Sequence, residues 1–328
     1  MTGDIAIVGA GVAGLCLAAE CADRGISVSL FDREPAVGPH ACSWWAGGML
    51  APFCEGESAE EPVVRLGQEA ADWWARMGVP VTRRGSLVVT LGRDRSELDR
   101  FARLTRGHRQ IDGPEIAALE PELEGRFSRA LFFEDEAHLD PRGALAGLSD
   151  RLVHSGVRRQ SGEPSADLMV DCRGLSARDR LSDLRGVRGE MAILRAPDVE
   201  INRPIRLLHP RHPLYIVPRG PGTYVLGATQ IEGGARPHAT VRSVMELLSS
   251  AFALHPAFGE AEILELGTDA RPAFPDNLPR IRRRGGRIFV NGLFRHGFLL
   301  APALARMTAD LIETGQKPEV MDEDIGER

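Results

Sequence analysis

Lysine is almost absent from this chain of 328 residues, and its absence excludes two kinds of enzyme. Lys317 is the only lysine among 40 basic residues, and it stands in a polar tail. Pyridoxal phosphate enzymes need a lysine to form their Schiff base, and a Walker phosphate-binding loop needs one after its glycine. The sequence therefore predicts neither a pyridoxal phosphate enzyme nor a protein with a Walker loop.

Cysteines are few, and their positions argue against a disulfide framework and a zinc site. The five are Cys16, Cys21, Cys42, Cys54 and Cys172, an odd number without a Cys-x-x-Cys pair. This pattern predicts a reduced, cytoplasmic protein that holds no metal. Because no cysteine follows Cys172, none is available to link a cofactor covalently in the second half of the chain.

Long apolar runs and a basic charge balance are also missing. No run approaches the roughly 20 apolar residues that span a bilayer. The formal net charge of −6 gives no general attraction to nucleic acid or anionic membranes. Residues 5–19 are apolar, but no basic segment precedes them, which argues against a secretory signal peptide. We expect no membrane span and no nucleic acid partner.

Residues 4–32 carry the first strong positive signal, because they read as strand, glycine turn, helix, strand and acid. Gly9, Gly11 and Gly14 stand in G-x-G-x-x-G spacing, which allows a tight turn, approach of a pyrophosphate and close helix–strand contact. The helix N-terminus offers N–H groups to phosphates, and Asp32 lies about where a carboxylate reaches ribose hydroxyls. The predicted dinucleotide contacts are Gly9, Gly11, Val12, Ala13, Gly14, Asp32 and Arg33.

A second signal lies in residues 291–312, NGLFRHGFLLAPALARMTADLI. Gly292 and Gly297 flank a short polar turn that holds Arg295 and His296, and a helix follows. A helix that begins beside two glycines presents N–H groups to an electron-rich ring edge, such as the pyrimidine edge of a flavin. The fingerprint alone would also suit an NAD-dependent dehydrogenase, and Asp32 followed by an arginine would suit a phosphorylated nicotinamide cofactor. Neither reading explains this C-terminal block.

Four blocks together resemble the FAD-dependent amine oxidases of the D-amino acid oxidase superfamily, and most closely the glycine oxidases associated with thiamin biosynthesis. The blocks are residues 4–32, CSWWAGGMLAP at 42–52, YIVPRG with YVLGAT within 215–229, and DARPAFPDNLP with FRHGFLLAP within 269–302. They cover nearly the whole chain in the family's order. Dehydrogenases that share the glycine fingerprint lack the last three blocks.

The resemblance implies site residues by position. It implies that Arg271 binds the substrate carboxylate, that Tyr215 lines the substrate pocket, and that Arg295 lies by flavin and substrate. A planar guanidinium can hold a carboxylate by a paired fork and direct the substrate Cα–H toward the flavin. His296 replaces the asparagine more usual in that block. The implied flavin contacts are Ser43, Ala46, Gly47, Gly48, Met49, Gly174, Arg295, His296, Gly297, Phe298, Leu299 and Leu300.

The expected fold is α/β with two domains. Residues 1–48, 138–186 and 265–328 are predicted to form a discontinuous, doubly wound FAD-binding domain, Rossmann-like and of the glutathione-reductase type. Residues 49–137 and 187–264 are predicted to form an inserted α+β substrate-binding domain on a mixed sheet.

Several local expectations accompany this fold. Residues 62–77 are predicted to form one helix, and residues 132–133 to begin a strand. Residues 188–190 resemble a turn that precedes a strand in the family. Segment 157–167 is short where the family usually has a longer strand pair, which implies a trimmed edge of the FAD domain. About ten polar residues at the C-terminus are predicted to be disordered.

The resemblance implies FAD-dependent oxidative deamination of a small amino acid, with glycine as the favoured substrate. The products would be an imine or 2-oxo acid, with hydrogen peroxide formed by oxygen as electron acceptor, in the service of thiamin thiazole synthesis. The alternatives are a D-amino acid dehydrogenase that passes electrons to a quinone, and a non-catalytic FAD-binding module. The size of the substrate side chain, the electron acceptor and the oligomeric state, including a homo-oligomer, stay open.

Overall fold

The structure, a computed structural model, describes residues 4–209, 213–234 and 238–323. The strands are β1 (Ile5–Val8), β2 (Val28–Phe31), β3 (Met49–Leu50), β4 (Ser86–Thr90), β5 (Arg109–Asp112), β6 (Arg129–Phe133), β7 (Ala137–His138), β8 (Arg159–Gln160), β9 (Leu168–Asp171), β10 (Arg185–Arg195), β11 (Ile205–Leu208), β12 (Leu214–Pro218), β13 (Thr223–Gly227), β14 (Ile231–Glu232), β15 (Glu262–Ala273), β16 (Arg280–Arg284), β17 (Arg287–Asn291) and β18 (Met321–Glu323). The helices are α1 (Val12–Asp23), α2 (Pro52–Glu55), α3 (Glu61–Gly67), α4 (Ala70–Arg76), α5 (Arg95–Leu104), α6 (Gly113–Leu119), α7 (Pro141–His154), α8 (Val241–Leu254) and α9 (Gly297–Thr314).

The first sheet has the strand order β18-β16-β17-β9-β1-β2-β8. β1 pairs in parallel with both β2 and β9, and β9 pairs in parallel with β17. Helix α1 leaves β1 and packs against α7 and α9. Because β1 lies between two strands reached by crossovers in opposite directions, its carboxyl end is the place where such sheets bind ligands.

The second sheet has the order β14-β10-β13-β12-β11-β4-β6-β5, with β15 on the other side of β10. Most of its pairs are antiparallel, whereas β4 and β11 are parallel, so the sheet is mixed. Its buried side chains form a core separate from that of the first sheet. The predicted α/β class with mixed sheets is confirmed.

The predicted domain limits stay a prediction. The strands of the first sheet come from residues 5–31, 159–171 and 280–323, which all lie within the predicted FAD-binding segments. Strands β10 and β15, however, run across the predicted limits at residues 187 and 265. Both strands belong to the second sheet, so the predicted limits fall within two paired strands of that sheet.

Helix ends follow chemical signals in the sequence. Asp140 accepts hydrogen bonds from the first-turn amides of Arg142 and Gly143 at 3.2 and 3.0 Å, and Pro141 opens α7 as expected. Helix α9 ends at Gly315, whose φ of 74° lies in the left-handed region that favours glycine.

Residues 62–77 do not form the single predicted helix, because the chain breaks between α3 and α4. At the break, a Cβ on Gly67 would lie 2.7 Å from the Leu299 side chain, so the glycine permits close packing against α9. The two tryptophans of α4 are buried, as packing residues should be: Trp73 Nε1 donates to Glu20 at 2.7 Å and Trp74 Nε1 to the Phe298 carbonyl at 2.8 Å.

Three other local predictions were wrong. Residues 132–133 end strand β6 rather than begin one, and residues 188–190 lie in the middle of β10 rather than in a turn. The reason at 188–190 is the long pairing of β10 with β15, which a local turn pattern cannot reveal. Residues 321–323 form β18 on β16, so the polar tail is partly ordered, and residues 324–328 lie outside the described part. Within the described ranges, no helix combines the length and the apolar character needed to cross a membrane.

Gly14 gives the first testable prediction, because a Cβ there would lie 1.8 Å from the Gly9 carbonyl oxygen. We expect Gly14→Ala to lower the free energy of unfolding by roughly 1–3 kcal/mol, since backbone must move to admit the methyl group. Gly147→Ala is the matched control, because Gly147 is an exposed residue of α7 with open space around it. The control should be neutral or stabilise by about 0.5–1 kcal/mol. Urea unfolding of both variants measures this, and equal effects would contradict the packing argument.

Candidate functional site

A cavity of 1140 Å³ runs between the two sheets. It is larger than the roughly 300–1,000 Å³ of ordinary small-molecule pockets. Among the predicted site residues, all except Gly14 and Leu300 line it. Gly14 lies beneath the glycine turn, and the Leu300 side chain is buried in the core. The structure thus gathers residues from distant parts of the sequence around one long cavity.

The glycine turn forms one end of the cavity. Gly9 has a φ of 103°, and a Cβ there would lie 2.7 Å from the Cys172 backbone. Gly11 is the N-cap of α1, and no side chain caps this helix. The amides of the first turn of α1 therefore remain available to an anion, as the fingerprint predicts.

Asp32 lies at the end of β2 and holds the glycine turn in place. Its Oδ2 accepts from the Ala10 amide at 2.6 Å, and its Oδ1 accepts from the Glu34 amide at 2.9 Å. Arg159, on the short edge strand β8, lies 3.3 Å from the same carboxylate. Each carboxylate oxygen has two acceptor sites, so Asp32 can still accept from a ligand hydroxyl in the cavity. Arg33 lines the cavity beside it.

The N-termini of two helices meet at the middle of the cavity. A Cβ on Gly297, the first residue of α9, would lie 3.2 Å from Val12 at the start of α1. Both helices direct the positive ends of their dipoles to this point. An electron-rich group bound here would be stabilised by both.

The loop at 42–49 covers another wall of the cavity, and Arg219 holds its backbone. Arg219 donates to the carbonyl oxygens of Leu139, Ala46 and Gly47 at 2.6, 3.0 and 2.8 Å. Burial lowers the pKa of Arg219 to about 10, so the guanidinium stays charged at neutral pH. Sequence reasoning did not assign Arg219 a role, although it is the arginine of the YIVPRG block.

Tyr215 lies on β12 with its ring between two glycines. A Cβ on Gly47 would lie 2.7 Å from its ring, and a Cβ on Gly227 would lie 2.3 Å from its hydroxyl oxygen. Burial raises the pKa of the Tyr215 phenol, so the group is neutral at physiological pH. The two glycines therefore make room for a neutral phenol at the wall of the cavity.

Arg271 lies on β15 and faces the cavity. Its Nη1 donates to the Thr229 carbonyl at 3.2 Å, and a Cβ on Gly189 of β10 would lie 2.1 Å from its Nη2. Burial lowers the pKa of Arg271, but a guanidinium still keeps its proton. In the described part of the chain Arg271 has no ion pair with a carboxylate. Such a cation suits an anionic ligand.

Arg295 also lines the cavity, but Glu55 holds its guanidinium. Arg295 Nη2 lies 2.7 Å from Glu55 Oε2, and Nη2 also donates to Ser58 Oγ at 2.7 Å. Arg206, on β11, donates to Glu55 Oε1 at 2.9 Å, and His296 Nε2 lies 2.9 Å from Oε2. Burial alone would raise the pKa of Glu55, yet Arg295, Arg206 and His296 together hold it well below its ordinary value. Glu55 is therefore ionised, and it is the centre of a cluster with Arg206, Arg295 and His296, called the Glu55 hub below.

His296 is neutral within this hub. Burial lowers the pKa of its ring, against the opposite effect of Glu55. Its Nδ1 is buried and has no hydrogen-bond partner among the residues that the structure describes. Sequence reasoning singled out His296 but missed Glu55 and Arg206. The only signal for Glu55 was that it is the first acid after the apolar loop block.

A second buried carboxyl group, that of Glu136, lies next to the Glu55 hub and fixes the backbone there. Glu136 accepts from the amide of Cys54, the residue before Glu55, at 2.8 Å. Burial raises the pKa of Glu136 to about 7. The short helix α2 is therefore hydrogen-bonded to the turn between β6 and β7, one residue before Glu55.

Comparison with known proteins shows what the chain as a whole is similar to. The family model described as "DAO: FAD dependent oxidoreductase" matches residues 4–311. A protein of Rhizobium etli described as a thiamine biosynthesis oxidoreductase, ThiO, is 53% identical over 322 residues, which cover 96% of this chain and 98% of that protein. A glycine oxidase of Pseudomonas aeruginosa is 27% identical over 361 residues, covering 97% and 96%. The crystal structure of a Geobacillus kaustophilus glycine oxidase has a TM-score of 0.78 at 22% identity, covering 97% and 96% of the two chains.

Glu136 gives a prediction about pH. Between pH 4.5 and 7 the folded state keeps a proton on Glu136 that the unfolded chain releases, so its contribution to stability falls as pH rises through this range. We expect Glu136→Gln to remove this loss and to be more stable than the parent at pH 8 by roughly 1–3 kcal/mol, with no gain at pH 4.5.

Urea unfolding at several pH values measures the difference between parent and variant. Glu134→Gln, an exposed change in the same turn, is the control and should show no such dependence. A stability difference that does not vary with pH would contradict the raised pKa of Glu136.

Proposed function

Because the chain belongs to the DAO family of FAD-dependent oxidoreductases, we propose that it oxidises the Cα–N bond of a small amino acid, glycine, for thiamin thiazole synthesis. The observation that carries the choice of an amino acid is Arg271, a cavity-facing guanidinium without a carboxylate partner among the described residues. The relatives named glycine oxidase and ThiO support glycine and the thiamin pathway.

FAD is the cofactor of this family, as the sequence predicted, and the cavity suits it. The backbone at Gly11–Ala13 would hold the pyrophosphate at the start of α1. The loop at 43–49 and the start of α9, which both line the cavity, would hold the isoalloxazine ring. Gly174, which lines the cavity at the end of β9, would contact the adenosine half.

The chain's own residues would bind and orient the substrate. Oxidation of glycine to its imine removes two electrons and two protons, and bound FAD supplies the electron acceptor. Arg271 would hold the carboxylate by a bidentate fork and so fix the direction of the Cα–H bond. The neutral phenol of Tyr215 would form one wall of the substrate pocket and donate a hydrogen bond to the substrate. Hydrolysis of the imine would then give the 2-oxo acid and ammonia.

Oxygen is proposed as the final electron acceptor, with hydrogen peroxide as its product. The D-amino acid dehydrogenase remains the rival proposal, because the two enzymes share the oxidation step and differ in acceptor. A non-catalytic module would bind FAD without oxidising any amino acid.

The proposal predicts that the purified, FAD-loaded protein loses its visible flavin absorbance when glycine is added without oxygen. Readmission of air should restore the absorbance and form one peroxide per glycine oxidised. If dyes but not oxygen restore it, the dehydrogenase is the better assignment. If glycine, sarcosine and D-alanine all leave the absorbance unchanged, the proposed function is wrong.

Arg271 gives the second prediction for this reaction. We expect Arg271→Gln to lower kcat/KM for glycine by about 100-fold, mainly through KM, because the substrate carboxylate loses a charged, buried partner. The matched control is Arg283→Gln, an exposed arginine on β16. Steady-state kinetics at matched FAD content measures both. Similar kinetics for the two variants would contradict the assigned role of Arg271.

A further inference from the structure

Three arginines and one acid meet at the end of the cavity beside Tyr215. Arg206 pairs directly with Tyr215 across β11 and β12. Burial raises the pKa of the Tyr215 phenol, and the charges of Arg271, Arg219, Arg206 and Glu55 also act on it. The charge of Arg295 in turn acts on Arg271. Apart from Arg219, these residues all line the cavity, so they surround the same space.

The arginines differ in their partners. Arg295 and Arg206 each contact Glu55, at 2.7 Å and 2.9 Å, and they approach different oxygens of its carboxylate. Arg271 donates a hydrogen bond to the Thr229 carbonyl and makes no ion pair with a carboxylate among the groups that the structure describes, although the charge of Asp269 acts on it. Of the three arginines at this end of the cavity, Arg271 alone is therefore not in contact with a carboxylate.

Glu55 is held firmly in this position. It ends the short helix α2, which begins with Pro52, and the amide of the preceding residue, Cys54, donates to buried Glu136. Its side chain is only 10% exposed, and each of its oxygens has a cationic partner. A second substrate anion at Arg295 or Arg206 would meet the negative charge of this carboxylate, and displacing the carboxylate would leave a buried charge unpaired.

We propose that Glu55 is a specificity-determining residue, which restricts the site to substrates with a single carboxylate by occupying Arg295 and Arg206. The inference rests on the proposed function, since it concerns the side of the substrate away from Arg271. It predicts rejection of amino acids that carry a second carboxylate, such as D-aspartate, relative to neutral ones of equal size. Glu55→Gln keeps the size of the side chain and removes the charge.

The test compares ligands of equal size that differ by one charge. Binding of malonate and succinate, and of their monoamides malonamate and succinamate, to the FAD-loaded protein is measured at pH 8 by the shift of the flavin spectrum. We expect Glu55→Gln to improve binding of the dianions relative to the monoamides by roughly tenfold. Glu55→Asp, which keeps the charge, should stay within about twofold of the parent ratio.

Glu57→Gln is the matched control. Glu57 also lines the cavity and pairs with Arg100, so this variant removes one negative charge from the same segment but leaves the Glu55 contacts intact. In Glu57→Gln, the ratio of dianion affinity to monoamide affinity should change by less than about twofold. An unchanged ratio in Glu55→Gln, or an equal change in Glu57→Gln, would overturn the proposal.

A second variant tests the proposal if Glu55→Gln does not fold. Arg295→Gln removes one of the positive charges that balance the Glu55 carboxylate. The carboxylate should then repel anions more strongly, so binding of the dianions should weaken relative to the monoamides. No change, or a change in the opposite direction, would overturn the proposal. Because these measurements need bound FAD but no turnover, they stand even if glycine is not oxidised. The kinetic counterpart is the ratio of kcat/KM for D-aspartate and D-asparagine, which Glu55→Gln should raise by a similar factor.

Discussion

The meeting of two helix N-termini at Val12 and Gly297 is the constraint on which the rest of the structure depends. Two positive dipole ends this close repel each other unless negative charge lies nearby. The contact is reached because α1 packs against α9, and Gly297 leaves room for the Val12 side chain at the start of α1. This arrangement makes the middle of the cavity a place for electron-rich groups. In the proposed FAD complex, a pyrophosphate on one side and a flavin edge on the other would supply that negative charge.

Glycines shape the substrate end of the cavity by the space that they leave. Gly189 lies under the Arg271 guanidinium, and Gly47 and Gly227 enclose the Tyr215 ring. The residues come from β10, β13 and the loop before β3, which belong to different parts of the chain. The positions of Arg271 and Tyr215 therefore depend on the register of the second sheet, in which Gly227 pairs directly with Tyr215. A shift of one residue would turn these side chains to the opposite face of the sheet.

The sequence could predict the parts of the site whose chemistry is local. The turn at Gly9–Gly14 and the strand and helix around Gly297 have signals within a few residues, and both were located correctly. Glu55 and Arg206 were not found, because their roles arise from contacts across 151 and 240 positions of the chain. The same reason explains the wrong turn at 188–190, which the pairing of β10 with β15 converts into strand. The long-range contacts had no periodic or motif signal.

The scarcity of lysine has a consequence for how charge is arranged in the site. A buried lysine can lose its proton, but an arginine keeps it, and even Arg219, whose pKa burial lowers to about 10, stays charged at neutral pH. The positive charge of an arginine-lined cavity can therefore be balanced only by carboxylates or by ligands. Glu55 balances Arg295 and Arg206 from within the chain, whereas Arg271 makes no ion pair with a carboxylate among the described residues. Under the proposal for Glu55, this difference between the arginines decides which anions the cavity accepts.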